Sequence, residues 1–296
     1  MNKDHFYPPF GFLAPEPHLT AYESSRVVIL PIPYDATTTA RAGTREGPAA
    51  IIHASQDLES YDLTLGFDTS RHGIHTLPDL APHSDSPGAM VDRIGGAVSD
   101  LLDDGKFVVT LGGEHTVAVG AVRAHLRRYP DLSVLAIDAH ADLRDEYLDS
   151  RYNHACPLRR IAEACPVVQV GMRSASPDQL EFIRERGLTF LTPAAYRALP
   201  GGPADVVQKL SPNVYVDIDL DGIDPSQMAA VGTPEPGGLF WDEVIELLTA
   251  LAEGKRIVGF DLVELAPDCG PPACAALAAR LAQRLIGLAL GPPLSS

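Results

Sequence analysis

Cysteine is scarce. The 296-residue chain holds four, Cys156, Cys165, Cys269 and Cys274, with no CxxC pair among them. So few, so scattered, do not make a disulfide framework, and the thiols read as inert. Basic clusters are lacking too: the formal net charge is -16, and the longest basic runs are pairs such as Arg127-Arg128 and Arg159-Arg160. A field of that sign repels the phosphates of nucleic acid and of anionic lipid, and paired arginines are ordinary solvated helix faces. Neither nucleic acid nor a membrane surface is therefore an expected partner. The opening stretch MNKDHFYPPFGFLAPEPHLT has no uninterrupted apolar core of the signal-peptide kind. No window reads as approaching the roughly 18 apolar residues of a spanning helix, so the expectation is a cytoplasmic protein.

Apolar residues, in contrast, make up 45% of the chain, enough for a substantial core. For an α/β chain of this length the expectation is one domain over residues 1–296, with 1–25 as an N-terminal extension. Short runs rich in Val, Ile and Leu recur: RVVILPI from Arg26, FVVTLGG from Phe107, LSVLAID from Leu132, PVVQVGM from Pro166, NVYVDID from Asn213 and RIVGFDL from Arg256. A strand covered on both faces is apolar throughout, so these read as buried parallel strands. Helical spacing appears between them, from Met90 to Leu102, His115 to Arg128, Pro177 to Arg186, Trp241 to Ala252 and Ala273 to Leu290. The alternation predicts a three-layer α/β/α fold around a mostly parallel sheet. Proline-rich stretches at Pro8–Pro17 and Pro78–Pro87, and the tail GPPLSS, read as surface connections.

Three of these six runs end directly in polar clusters, at the strand ends where open α/β sheets bind ligands. Asp138-Ala-His140-Ala-Asp142 places three potential metal ligands at every second position, and alternate side chains of an extended chain share a face. A lone Asp-x-His is a common structural pair; the third ligand at the same period points to a metal. Asp217-Ile-Asp219-Leu-Asp221-Gly-Ile-Asp224-Pro225 puts four carboxylates into eight residues of an otherwise apolar segment. Buried carboxylates need cations, donors or water. Turn-building by Asp-Gly and Asp-Pro accounts for Asp224 but for neither Asp219 nor Asp221. Gly112-Gly113-Glu114-His115-Thr116 adds His115, by itself a capping or core histidine. The glycine pair would suit a phosphate, which the acidic neighbours disfavour. Imidazole nitrogen and carboxylate oxygen, with no cysteine sulfur nearby in sequence, suit manganese, iron, nickel, zinc or magnesium. Six ligands fit two ions better than one, and ions about 3.5–4 Å apart turn a shared water into hydroxide near neutral pH.

GGEHT, DAHAD and DIDLDGIDPS, followed by GTPEPGG from Gly232, resemble in this order the signature motifs of the ureohydrolase family: arginases, agmatinases and related amidinohydrolases. The resemblance runs from about Val27, through PYDATTTARAGTREGP, to the helix after Val263-Glu264. It implies an arginase-like three-layer fold, two manganese ions per subunit, cleavage of a guanidinium group to an amine and urea, and a homo-oligomer, trimer or hexamer. By the same resemblance one ion takes His115, Asp138, Asp142 and Asp219, and the other Asp138, His140, Asp219 and Asp221, with Asp138 and Asp219 bridging. Glu264, in LVELAP, matches the glutamate that pairs with the guanidinium, whose planar fork a carboxylate can accept through two hydrogen bonds. His154, in RYNHACPLRR, matches a histidine beside the substrate. The expected reaction then has hydroxide attack the guanidinium carbon, with Glu264 orienting the group, Asp142 helping to carry a proton to the departing amine, and His154 relaying protons or touching substrate. Departures from the common pattern are Asp217 for serine, Glu114 for aspartate, Ala40 for tyrosine, Ala266 for asparagine, and Ala229-Ala230-Val231 for Pro-Gly-Thr. None removes an implied ligand.

Arginases typically follow their metal aspartates with an asparagine- and serine-bearing loop. Here Leu143 to Asp149 reads LRDEYLD, whose carboxylates suit a cationic tail. DLRDEY with NHACPLRR looks more like agmatinase-type members. The expected substrate is a small cationic guanidino compound, agmatine, giving putrescine and urea, with aminopropylagmatine, guanidinobutyrate and arginine as alternatives. A single-zinc deacetylase would share the fold but lacks the paired DAHAD and DLD arrangement. A non-catalytic metal-binding relative is hard to square with an intact ligand set.

Overall fold

The structure is a computed structural model describing residues 10–13 and 16–293. Parts of the expected N-terminal extension, of the first proline-rich stretch and of the GPPLSS tail lie outside the described residues. In chain order the strands are β1 (Val27–Ile32), β2 (Tyr61–Asp62), β3 (Phe67–Asp68), β4 (Ile74–Thr76), β5 (Phe107–Gly112), β6 (Leu132–Ile137), β7 (Val167–Val170), β8 (Thr189–Leu191), β9 (Asn213–Asp219) and β10 (Arg256–Val263). The helices are α1 (Gly47–Ser55), α2 (Pro87–Asp103), α3 (Val117–Arg128), α4 (Pro157–Ala162), α5 (Pro177–Arg186), α6 (Pro193–Arg197), α7 (Pro203–Val207), α8 (Trp241–Gly254) and α9 (Ala273–Leu290).

Eight strands form one sheet in the order β4-β1-β5-β10-β9-β6-β7-β8, and every pairing within it is parallel; β2 and β3 make a separate antiparallel ribbon. Side chains alternate across the sheet, as the strand period requires. Val27 and Ile29 of β1 enter one core with Ile51, Leu248 and Ile286, from α1, α8 and α9. Val28, Leu30 and Ile32 enter a second core with Ile94, Val122, Leu158 and Phe182, from α2 to α5. Two cores, one on each face, are the physical content of the three layers. All six expected strands form. Beyond the β2–β3 ribbon, two strands were not expected, β4 and β8: they are the three-residue edges of the sheet, largely half-buried, where one neighbour is missing and the apolar run is too short to register.

Helix α9 corrects one expectation. With 18 residues and a mean hydropathy of 1.4 it is long and apolar enough, by length and composition alone, to cross a membrane. Ala278, Leu281, Ala282, Leu285 and Ile286 of α9 are buried in the first core, so packing accounts for its apolar character.

Helices α2 and α3 press closely together, and α3 fixes the turn that carries His115. A Cβ on Gly120 of α3 would sit 2.5 Å from the Val91 carbonyl oxygen and 2.8 Å from the Ile94 Cβ. Gly96, exposed on α2, has open space there. Gly120→Ala should therefore cost about 1–3 kcal/mol by overpacking. Gly96→Ala should stabilise by about 0.5–1 kcal/mol through helix propensity. Urea unfolding midpoints read both, and an unchanged midpoint for Gly120→Ala would mean that the two helices separate at no cost.

Candidate metal centre

Four adjacent strands at the middle of the sheet, β5-β10-β9-β6, bring the polar clusters together at their carboxyl ends. His115 lies on the turn between β5 and α3, which starts at Val117, so the residue sits just before the helix expected to begin with it. Glu264 follows β10, Asp219 ends β9 and Asp138 follows β6. The Asp221-Gly222 turn packs against the end of β6, where a Cβ on Gly222 would meet the Asp138 nitrogen at 2.7 Å. Only glycine permits that approach. Backbone N–H groups aim the carboxylates: His140 donates to Asp138 Oδ1 at 2.6 Å, Ala139 to Asp221 Oδ1 at 3.0 Å, and Asp221 to Asp219 Oδ1 at 2.9 Å. Asp142 (φ 48°) and Glu264 (φ 67°) both occupy left-handed backbone, which a non-glycine residue adopts at a cost of about 1 kcal/mol or more.

Around His115 Nδ1 stand Asp142 Oδ2 at 3.0 Å, Asp219 Oδ2 at 3.3 Å and Asp138 Oδ2 at 3.6 Å. His140 Nδ1 is 2.9 Å from Asp221 Oδ2 and 3.9 Å from Asp138 Oδ1. Two donor sets result, His115 with Asp138 and Asp219, and Asp138 with His140 and Asp221; within each set the ligand atoms lie within 4.8 Å of one another. Asp138 belongs to both. Asp142 adjoins the first through His115, and Asp219, expected to bridge, falls in the first set alone. Glu264 accepts the His115 backbone N–H through Oε1 at 2.7 Å.

These groups are buried with few counter-charges. Among the described residues, no lysine or arginine nitrogen pairs with a carboxylate of either donor set. Burial, then the charges of Asp142, Asp219 and Asp221, raises Asp138 far above the usual carboxylate range. Burial and Asp221 push Asp219 up to about 8. Glu264 is also raised well above its ordinary value, by burial and by Asp219. For the histidines burial acts downward but is outweighed, at His115 chiefly by Asp217 and at His140 by Asp221, which carries His140 to about 10. Burial would raise Asp221, yet the charge of His140 prevails and holds it at about 2. Asp138 Oδ2 is buried with no hydrogen-bond partner among the described residues. An orphaned carboxylate oxygen amid mutually repelling acids and imidazoles fits divalent cations.

The site opens into a cavity of about 160 Å³ lined by His140, Asp142, Asp219, Asp221, His154 and Glu264, joined by Thr39, Arg144, Tyr147, Ala155 and Thr233. A groove of about 500 Å³ near Glu16 and Arg71 is larger but shares no lining residue with it and holds none of these groups. His154 Nε2 lies 2.9 Å from Thr39 Oγ1, and the His154 N–H donates to Thr37 Oγ1 at 2.9 Å. Thr37 in turn donates through Oγ1 to Glu114, whose carboxyl burial pushes up to about 7. Burial lowers His154, favouring the neutral imidazole.

One expectation about this wall changes. The carboxylates of the Leu143–Asp149 loop do not line the cavity: Asp145 is held by Arg151 and Arg160, and it is Arg144 and Tyr147 that face inward, the guanidinium 4.9 Å from the ring centroid. Tyr147 and Ser150 exchange backbone hydrogen bonds across Leu148 and Asp149, both at positive φ, a hairpin turn that alternation of residue types does not reveal. Sequence reasoning left Thr39 and Thr233 without a role, although both lie inside quoted motifs. Asp224 accepts from the N–H groups of Ser226, Gly237 and Gly238, a turn residue as read.

Stability should follow these shifts. His140 keeps its proton in the folded state up to about 10 against an ordinary 6.5, and Asp219 up to about 8 against 3.8. Across pH 6 to 9 the unfolded chain thus binds fewer protons than the metal-free fold, so stability falls as pH rises. Divalent cations replace those protons, so their gain in melting temperature should grow with pH. Thermal melts in chelator and in manganese across this range check it; a metal-free melting temperature that rises towards pH 9 would contradict the charge arrangement.

Comparison with known proteins agrees with this geometry. The sequence profile described as Arginase family matches residues 25–287. The N(1)-aminopropylagmatine ureohydrolase of Synechocystis sp. is 38% identical over 277 residues, covering 91% of this chain and 90% of the relative. That of Thermus thermophilus is 40% identical over 274 residues, covering 91% and 92%. Among solved structures, the agmatine ureohydrolase of Thermoplasma volcanium superposes with a TM-score of 0.83 at 34% identity, covering 91% of this chain and 92% of that one. A parallel sheet delivering two acid-and-imidazole sets from its central strands, in a sequence matched along nearly its whole length, places the chain in the arginase family.

Proposed function

We propose that the protein hydrolyses the guanidinium group of agmatine to putrescine and urea, using two divalent ions, manganese foremost. His115, Asp138, Asp142 and Asp219 would hold one ion, and Asp138, His140, Asp219 and Asp221 the other. One observation carries the reading: two donor sets that share Asp138 open into a cavity whose wall contains Glu264. When bound, such an ion pair supplies a nucleophilic water near neutral pH and a counter-charge for the transition state. Glu264 accepts the guanidinium N–H groups in a charge-assisted pair, its carboxyl steadied by the His115 N–H. Asp142, beside His115, takes the proton released by the attacking water and passes it to the departing amine, which leaves neutral. His154, neutral and bonded to Thr39, accepts or passes a proton at the cavity wall. The same reading makes the enzyme a single-domain cytoplasmic homo-oligomer, trimer or hexamer, and the four free thiols support a reducing compartment.

A second reading, aminopropylagmatine as substrate, is supported by the names of the Synechocystis and Thermus relatives. Arg144 in the wall bears on the tail, because a cation there favours an amine that ends beyond it or a carboxylate that meets it.

Urea release from agmatine, aminopropylagmatine, arginine and guanidinobutyrate, with manganese and with a chelated control, tests these readings. Metal-dependent urea from agmatine or its aminopropyl derivative is expected; preference for guanidinobutyrate would move the assignment to acidic tails. No urea from any, with two ions bound, would overturn the substrate class. Asp219→Ala should abolish activity and paired metal binding. Glu264→Gln should keep both ions yet lower turnover about 10- to 100-fold, the worth of a charge-assisted hydrogen bond. A Glu264→Gln enzyme with unaltered kinetics would remove Glu264 from substrate binding.

A further inference from the structure

Asp217 takes no part in the proposed reaction, yet it makes the closest contact on the far side of His115. Both its oxygens approach His115 Nε2, at 3.0 and 3.1 Å, while Nδ1 faces Asp138, Asp142 and Asp219. Asp217 is fully buried on β9, two residues before Asp219 and so on the same face. Its register partner on β10 is Asp261, whose neighbour on β5 is Thr110. Tyr215, again two residues back, donates its hydroxyl to Asp261 Oδ2 at 2.8 Å and lies against the His125 ring of α3 at 4.7 Å. A polar file thus runs from His115 through Asp217 and Asp261 to Tyr215, all of it shut off from water.

Two carboxyls side by side in such a place are costly unless compensated. Among the described residues no lysine or arginine pairs with either, and His115 is the one charged partner of Asp217. Burial and Asp217 keep the Asp261 carboxyl well above its ordinary range, as an acid rather than a second charge. As an acid Asp261 can donate to Asp217, but both Asp217 oxygens also lie against His115 Nε2, at 3.0 and 3.1 Å, a contact that a carboxylate makes with an N–H and not with a bare nitrogen lone pair. A proton fixed on Nε2 leaves the lone pair on Nδ1, towards the acids of the first donor set. The serine common at this position in the family could donate or accept and carries no charge.

We propose that Asp217 is a positioning residue that locks His115 as the Nε2–H tautomer and strengthens its Nδ1 as a ligand for the ion on the His115 side. The inference rests on the two-ion reading of the site. Carboxylates behind a ligating imidazole typically contribute 10- to 100-fold in metal affinity. Manganese titration of the metal-free protein, followed by calorimetry and by the electron-spin signal of free manganese, should show two sites in the wild type. In Asp217→Ala one of the two should weaken about 10- to 100-fold, and Asp217→Asn, which can still accept from Nε2–H, should recover part of that loss. Nitrogen NMR of the wild type loaded with zinc supplies a test that needs no variant: His115 should be protonated at Nε2 and bound through Nδ1. Two sites of unaltered affinity in Asp217→Ala, or binding through Nε2, would overturn the inference and leave the two-ion reading standing. A wild type that binds no divalent ion would overturn both.

Discussion

Uncompensated negative charge is the constraint on which the carboxyl end of the sheet depends. Asp138, Asp142, Asp217, Asp219, Asp221, Asp261 and Glu264 are all buried there, with His115 and His140 as the bases in direct contact and His154 and Arg173 nearby. Without cations the folded chain holds protons that water would strip from it, as the raised values of Asp219 and His140 record. Divalent ions held by the two donor sets would offset much of that charge.

Holding so many like charges within a few ångströms demands a rigid frame, and the strand order provides it. Consecutive elements could have spread the clusters over the sheet; instead β5, β10, β9 and β6 are neighbours, although they come from distant parts of the chain. All four are central and buried on both faces, so their ends are fixed by the two cores. Central burial is also why these strands were legible. A strand with helices above and below is apolar over most of its length, and the runs from Phe107, Leu132, Asn213 and Arg256 are so apart from Thr110, Ser133, Asp217, Asp219 and Asp261. Strands β4 and β8 escaped because an edge relaxes that demand, and α4, α6 and α7 because five or six residues show no helical period.

Legibility of the site follows the same division between frame and loop. Asp138, His140 and Asp142 announce themselves by period, and Asp219 and Asp221 by the improbability of bare carboxylates in an apolar segment. Asp217 belongs to that segment, but its role depends on which face of which neighbour it meets, and His115 arrives from a strand end about a hundred residues earlier in the chain. Loop orientation is harder still. In LRDEYLD the acids outnumber the base, so composition points to an anionic wall, whereas Arg151 and Arg160 draw Asp145 away and the left-handed turn at Leu148 and Asp149 directs Tyr147 inward. The sign of the cavity wall is decided by partners that lie just beyond the loop and not within it.

That reversal shapes how a substrate must lie. The floor is acidic and carries Glu264, while Arg144, against Tyr147, adds a positive charge to the wall. A molecule with a guanidinium at one end would meet attraction from that floor and repulsion from Arg144. Its alkyl segment then has Tyr147, Ala155 and the threonine methyls to pack against. A terminal amine beside Arg144 would be repelled unless the arginine swings off the ring or the chain extends past it, and a longer polyamine meets the second condition more easily than a short one.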